Sequence, residues 1–244
     1  MSKGIVISLY DYTGEAVRPW AEAGYECLCY DIQHDDTRVD LYRSGGSVNY
    51  LHADLHDINT LVSLYETFKD QPVVFGMAFP VCTDMAVSGA AHFAKKREAD
   101  PDFQVKASDY AKWCAELFED LRVPYFIENP VSVLSTLWRK PNYTFQPYEY
   151  GGYIPEAEAV HPIWPDYIAA RDAYPKKTCL WTGCGFVMPE QKPVPVSGGY
   201  STQHLKLGGK SMKTKNIRSA TPRGFARAIF EANSVKERED ATQE

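Results

Sequence analysis

Long apolar runs are missing from this sequence. None of its 244 residues belongs to a stretch approaching the ~20 apolar residues that a bilayer-spanning helix needs. The start, Met1-Ser2-Lys3-Gly4, leads straight into a strand-like run, so no signal peptide is expected. Paired cysteines are missing too. Cys27, Cys29, Cys82, Cys114, Cys179 and Cys184 form no Cys-x-x-Cys set, and a secreted disulfide framework is denser for its length. Free thiols in a reducing cytoplasm are the expectation. The histidines do not fall at ligand spacing, which counts against structural zinc, and no metal is expected. The absence of G-x-G-x-x-G counts against a nicotinamide cofactor. No internal repeat occurs.

One further absence is local. From Gln191 to Phe230 there is no Asp or Glu, although the chain carries a net charge of −6. Lys192, Lys206, Lys210, Lys213, Lys215, Arg218, Arg223 and Arg227 all fall in that window. Overall acidity argues against a nucleic-acid binder, while a concentrated basic stretch argues for one.

What is present reads as strand–helix alternation. Gly4–Leu9, Cys27–Tyr30, Val48–His52, Val73–Met77 and Tyr125–Ile127 are strand-like. Between them lie predicted helices at 15–23, at 57–69, and across Ala107, Tyr110, Ala111, Cys114, Leu117, Phe118 and Leu121. Such alternation predicts an α/β fold with a doubly wound, Rossmann-like parallel sheet. The segment 89–103, small residues followed by a charge cluster, reads as mobile. Residues 1–139 are the expected catalytic and cofactor-binding core. Residues 140–215, rich in Pro and aromatics, are an expected irregular insertion, with a possible hairpin near Thr178-Cys179-Leu180-Trp181. Residues 216–233 read as a helix returning to the core, with Thr221 as cap and Pro222 in the first turn. The tail, 234–244, is expected to be disordered.

The chemistry concentrates at strand ends, where ligands bind in open α/β sheets. Tyr10, Thr13 and Gly14 occupy the turn after the first strand, and Gly14 lets backbone approach a ligand closely. Asp31 closes the second strand, where a carboxylate can accept both ribose hydroxyls, and Asp54 follows the third, within reach of an adenine amino group. Cys82 follows the apolar run through Phe79-Pro80-Val81. It is a reactive thiol or one more small buried hydrophobe. Glu128, ending a later apolar strand, is a buried acid with a raised pKa or a capping or salt-bridged one. His161, Trp164 and Trp181 read as packing residues, and Tyr148-Glu149-Tyr150-Gly151-Gly152 as part of a small recognition element.

Taken in order, Ser8-Leu9-Tyr10-Asp11-Tyr12-Thr13-Gly14, Phe79-Pro80-Val81-Cys82 and Phe126-Ile127-Glu128-Asn129-Pro130 resemble the DNA cytosine-5 methyltransferases, particularly the short phage-type members. Ser219-Ala220-Thr221-Pro222-Arg223 resembles the family's late element before its final helix. Val81 stands where the family usually has a second proline, and no clean Gln-x-Arg-x-Arg element is present. The resemblance implies S-adenosylmethionine as cofactor, with Ile32, Leu55, Phe79 and Pro80 joining Tyr10, Thr13, Gly14, Asp31 and Asp54 around it. It implies Cys82 as the nucleophile on cytosine C6, Glu128 at N3 and Asn129 fixing loops around the site. The implied partner is double-stranded DNA with a flipped cytosine, met by Ser88, Gln203, Lys213, Lys215 and Arg218, with Tyr200 and His204 interleaved. The setting implied is the cytoplasm of a bacterial or phage-infected cell. RNA, a free nucleotide, a modified methyl donor, or a catalytically inactive DNA-binding homologue stay open as alternatives.

Overall fold

The computed structural model describes residues 2–196, 202–208 and 211–234. Tyr200, Lys210 and nearly all of the tail expected to be disordered, 235–244, lie outside the described residues. Eight strands form one sheet in the order β3-β4-β2-β1-β5-β6-β8-β7. They are β1 (Ile5–Leu9), β2 (Glu26–Asp31), β3 (Val39–Leu41), β4 (Ser47–His52), β5 (Val73–Ala78), β6 (Tyr125–Pro130), β7 (Tyr143–Phe145) and β8 (Thr178–Gly183). The helices are α1 (Arg18–Glu22), α2 (Ile58–Phe68), α3 (Phe93–Ala99), α4 (Phe103–Asp120), α5 (Leu134–Leu137), α6 (Thr202–Lys206), α7 (Met212–Ser219) and α8 (Arg223–Asn233).

The centre of the sheet is parallel: β4, β2, β1, β5 and β6 run the same way. These strands are near-continuous apolar runs because both of their faces are covered. Ile7 and Leu9 of β1 face a core shared with Leu61, Leu64 and Phe68 of α2 and Ala111, Cys114 and Phe118 of α4. Val6, one residue out of phase, faces the opposite core with Trp20 of α1 and Phe225 and Ile229 of α8. The chain thus winds outward from β1 in both directions, and the reversal lies between β1 and β5. This is the doubly wound, Rossmann-like α/β sheet expected from the sequence, and the reversal marks where ligands bind in such sheets.

Two local expectations need correction, and the stretch read as mobile carries regular structure: a 3₁₀ turn, Val87–His92, is followed by α3, and Lys96 of α3 pairs with Asp84 and lines up this segment against the turn after β5. Thr221 does not cap α8. Its N-terminal boundary is Pro222 with no side-chain cap, and the Gly224 N–H is instead bound by the buried Asp172 carboxylate at 2.8 Å. The helix expected at 15–23 is only the short α1. The span 140–215 contributes β7 and β8 to the main sheet, and β8 runs antiparallel between β6 and β7. Its aromatics pack inward: Phe145 stacks on Phe225 of α8 at 3.8 Å between centroids, and Tyr150 meets the same ring edge-on. Trp181 is buried and donates to the Arg139 carbonyl at 2.6 Å.

Candidate active site

The carboxyl ends of β1, β2, β4, β5 and β6 open into one cleft of about 530 Å³, within the range of small-molecule sites. Tyr10, Asp31, Ile32, Asp54 and Leu55 line one part of it; Phe79, Pro80, Cys82, Ser88, Glu128 and Asn129 line another. Lys215 and Arg218 reach it from α7.

Each of these positions has a local cause. Tyr10 turns the chain off β1 with φ +58, and its hydroxyl donates to the Leu55 carbonyl at 2.7 Å, tying the β1 end to the loop after β4. Burial drives its phenol pKa far upward, so it stays a neutral donor. Asp31 Oδ1 accepts from the backbone N–H of Gln33 at 2.8 Å and from its side-chain amide at 3.2 Å. Its other oxygen has no partner among the described residues. Asp54 Oδ1 accepts from the His56 N–H at 3.0 Å.

The turn after β5 is braced from the opposite loop. Met85 and Ala86 donate to the Cys82 carbonyl at 3.0 and 2.8 Å, Val87 to Val131 at 3.1 Å, and Val133 to Met85 at 3.1 Å. Asn129 Nδ2 donates to the Pro80 carbonyl at 3.0 Å, two residues before the thiol. Burial and the neighbouring Glu128 push the Cys82 thiol above the ordinary thiol range, while Lys176 pulls it back. Burial likewise raises Glu128, against the same lysine. A carboxyl held toward its acid form can donate a proton to a substrate ring, and a thiol beside it can attack the same ring once deprotonated.

Lys176 is the residue sequence reasoning missed. It lies two positions before β8, and the antiparallel pairing of Pro130 with Thr178 brings the start of β8 to the end of β6. It lines the cleft and donates to the Arg218 carbonyl at 2.9 Å. Only the doublet Lys176-Lys177 beside a short apolar run hints at it in the sequence. Gln33, His56, Met212 and Asn216 also line the cleft.

Four of the expected site residues do not line the cleft. Thr13 and Gly14 are gathered around Asp11, a buried carboxylate that accepts from Gly14 N at 2.8 Å, Ser8 Oγ at 2.8 Å and Thr13 N at 3.2 Å. Gly14 has φ +69, and a side chain there would strike the Tyr50 hydroxyl. Their conformation thus shapes the turn that follows Tyr10, the residue of this segment that lines the cleft. Gln203 is buried and bonds the Tyr174 hydroxyl. Lys213 is exposed, with Nζ 5.6 Å from the Tyr167 ring centre.

Among the described residues, no group of three or more His, Cys, Asp or Glu is disposed to hold a metal, and no helix is long and apolar enough to cross a membrane. No protein-family model and no curated protein matches the sequence. Among solved structures, the chain is similar to one described as a candidate DNA modification methyltransferase encoded within an Escherichia coli prophage, at 12% identity and a TM-score of 0.41. The likeness covers 79% of this chain and 53% of that one, so this chain spans about half of its length.

Proposed function

We propose that the cleft binds S-adenosylmethionine and that the protein transfers its methyl group to C5 of cytosine in DNA. The observation that carries this reading is the convergence of Cys82, Glu128 and the strand-end acids Asp31 and Asp54 on one cleft at the sheet's switch point. The cleft residues suit an adenosine. The open oxygen of Asp31 is free to take a ribose hydroxyl, and Ile32, Leu55, Phe79 and Pro80 supply apolar surface for a base. When bound, the cofactor supplies an electrophilic methyl on sulfonium. The chain's own residues activate the acceptor, because cytosine C5 is too weakly nucleophilic to act unaided. The Cys82 thiol first gives its proton to solvent, and the thiolate Sγ adds to C6 as the Glu128 carboxyl passes its proton to N3. That addition makes C5 electron-rich, so that it can accept a methyl from a bound donor. Loss of the C5 proton to solvent breaks the S–C6 bond, and N3 returns its proton to Glu128. Asn129 holds the Pro80 carbonyl and so aims the thiol. Lys176, Lys215 and Arg218 meet the phosphates flanking an extruded base.

A duplex carrying 5-fluorocytosine tests this directly. Fluorine cannot leave as a cation, so wild type should become covalently linked to the DNA at Cys82, and Cys82→Ser should not. Absence of an adduct with both the duplex and a 5-fluorocytosine nucleotide, despite bound cofactor, would refute the covalent route. The same cations also suit one phosphate of a free pyrimidine nucleotide. Adduct formation with a 5-fluorocytosine nucleotide, and none with the duplex, would select that substrate instead.

A further inference from the structure

α7 does more than present positive charge. Met212, Lys215, Asn216, Arg218 and Ser219, drawn from its whole length, line the same cleft as Asp31 and Asp54. The helix therefore lies over the cleft as a roof. It is anchored behind by Ile217, which is fully buried with Ile168, Tyr174 and Leu207. Lys176 Nζ, bonded to the Arg218 carbonyl, holds its last turn. On the front, a hydrogen bond joins α7 to the far wall: Asn216 Nδ2 donates to Gln33 Oε1 at 3.3 Å, across 183 positions of sequence. Gln33 is itself aligned by Asp31, which takes both its backbone N–H and its side-chain amide on one oxygen. With the amide hydrogens turned to Asp31, the Gln33 oxygen is left facing α7.

We infer that Gln33 and Asn216 form a clasp that closes α7 over the nucleoside end of the cleft, and that polyanion binding to α7 tightens it. This rests on the cofactor reading above. The chain Asp31–Gln33–Asn216 joins a carboxylate poised for a ribose hydroxyl to the helix that carries Lys213, Lys215 and Arg218. A ligand that fixes Asp31 fixes Gln33, and through it α7. A phosphate chain that holds the basic side of α7 down keeps the clasp shut. The linkage is reciprocal: nucleic acid slows release of the nucleoside, and the nucleoside strengthens binding of nucleic acid. Gln33 and Asn216 are positioning residues in this arrangement.

The test is the release rate of S-adenosylhomocysteine from the full chain, measured by stopped flow with and without a duplex oligonucleotide, for wild type, Gln33→Ala, Asn216→Ala and the double variant. Each single change should speed release about two- to ten-fold, the worth of one ordinary hydrogen bond. The double variant should release no faster than the quicker single variant, because both remove one contact. Duplex should slow release from wild type and not from Asn216→Ala, a difference that a merely structural defect in α7 would not produce. Release from Asn216→Ala at the wild-type rate, additive effects, or an unchanged response to duplex would each overturn the clasp alone. A wild-type chain that does not bind S-adenosylhomocysteine would overturn the cofactor reading and the clasp with it.

Discussion

Replacing Asp31 by alanine separates two jobs that the carboxylate performs on different oxygens. Oδ1 holds the Gln33 turn through two hydrogen bonds, and Oδ2, on a side chain that lines the cleft, has no hydrogen-bond partner among the described residues. Hydrogen bonds to a charged group contribute about 1.5–3 kcal/mol. Losing the ribose contact should therefore weaken binding of S-adenosylhomocysteine roughly 10- to 150-fold, at about 1.4 kcal/mol per factor of ten. The variant also loses the acceptor for Gln33, which should lower folding stability by about 1 kcal/mol. Asp31→Asn isolates the first effect. Its amide oxygen still accepts from Gln33 and preserves the turn, while a neutral amide faces the hydroxyls with roughly half the strength of a charged partner. The expected order of affinity is wild type, Asn, then Ala, with thermal stability nearly equal for the first two. Isothermal titration calorimetry with parallel melting curves reads both quantities. Wild-type affinity in Asp31→Ala would refute the placement of the nucleoside. Wild-type affinity in Asp31→Asn, with a loss only in Ala, would assign the effect to the Gln33 turn instead.

The remaining predictions concern protons. Peptide-resolved alkylation of Cys82 by iodoacetamide should reach half its limiting rate above the ordinary thiol range; it should shift to higher pH in Lys176→Met and to lower pH in Glu128→Gln, since the lysine lowers and the carboxylate raises the thiol. Identical profiles in all three proteins would separate these groups from the thiol. Asp172 is buried, and its pKa is raised from 3.8 to about 6. The folded chain thus retains a proton that the unfolded chain releases, and stability falls as pH rises from about 4 through 6, by up to about 3 kcal/mol. Asp172→Asn keeps an acceptor for Gly224 N and suits the positive φ at this position, so its stability relative to wild type should grow between pH 4 and pH 7. A pH-independent difference in denaturant midpoint would count against this.

How much of this was legible in the sequence depends on how far apart the partners lie. β1, β2, β4, β5 and β6 each carry their own signal, an apolar run ended by a polar residue, and so the strand-end residues Tyr10, Asp31, Asp54, Cys82 and Glu128 could be read without knowing what lay beside them. β8 has no such independence. Thr178-Cys179-Leu180-Trp181 is a short run whose strand character comes from being seated between β6 and β7, and Lys176 gains its meaning only from that seat. Thr13 and Gly14 lie outside the cleft lining for a reason that the sequence does not display. A turn that contacts ligand and a turn that supports one have the same composition, and the buried Asp11 that decides between them looks, in sequence, like another loop acid. The helix before α4 left no local pattern: α3 buries no residue, so it has no apolar stripe to read.

The insertion of β8 between β6 and β7 has a consequence for the order in which the molecule is made. During synthesis β6, with Glu128 and Asn129, emerges well before Thr178–Gly183, the strand that covers its outer edge. For that interval the growing chain holds an apolar strand, Tyr125-Phe126-Ile127, with one row of backbone groups unpaired. The same strand is flanked at its far end by the thiol-bearing turn, whose bracing comes from residues 131–133 on the near side of the gap. The proposed chemical centre therefore closes in two stages, a local one that sets the Cys82 turn against its neighbour loop and a long-range one that delivers Lys176. Until the second stage is complete, the nascent protein has the Cys82 thiol in place beside Glu128, lacks the Lys176 cation that lowers the pKa of both, and displays a strand edge on which another nascent chain can add.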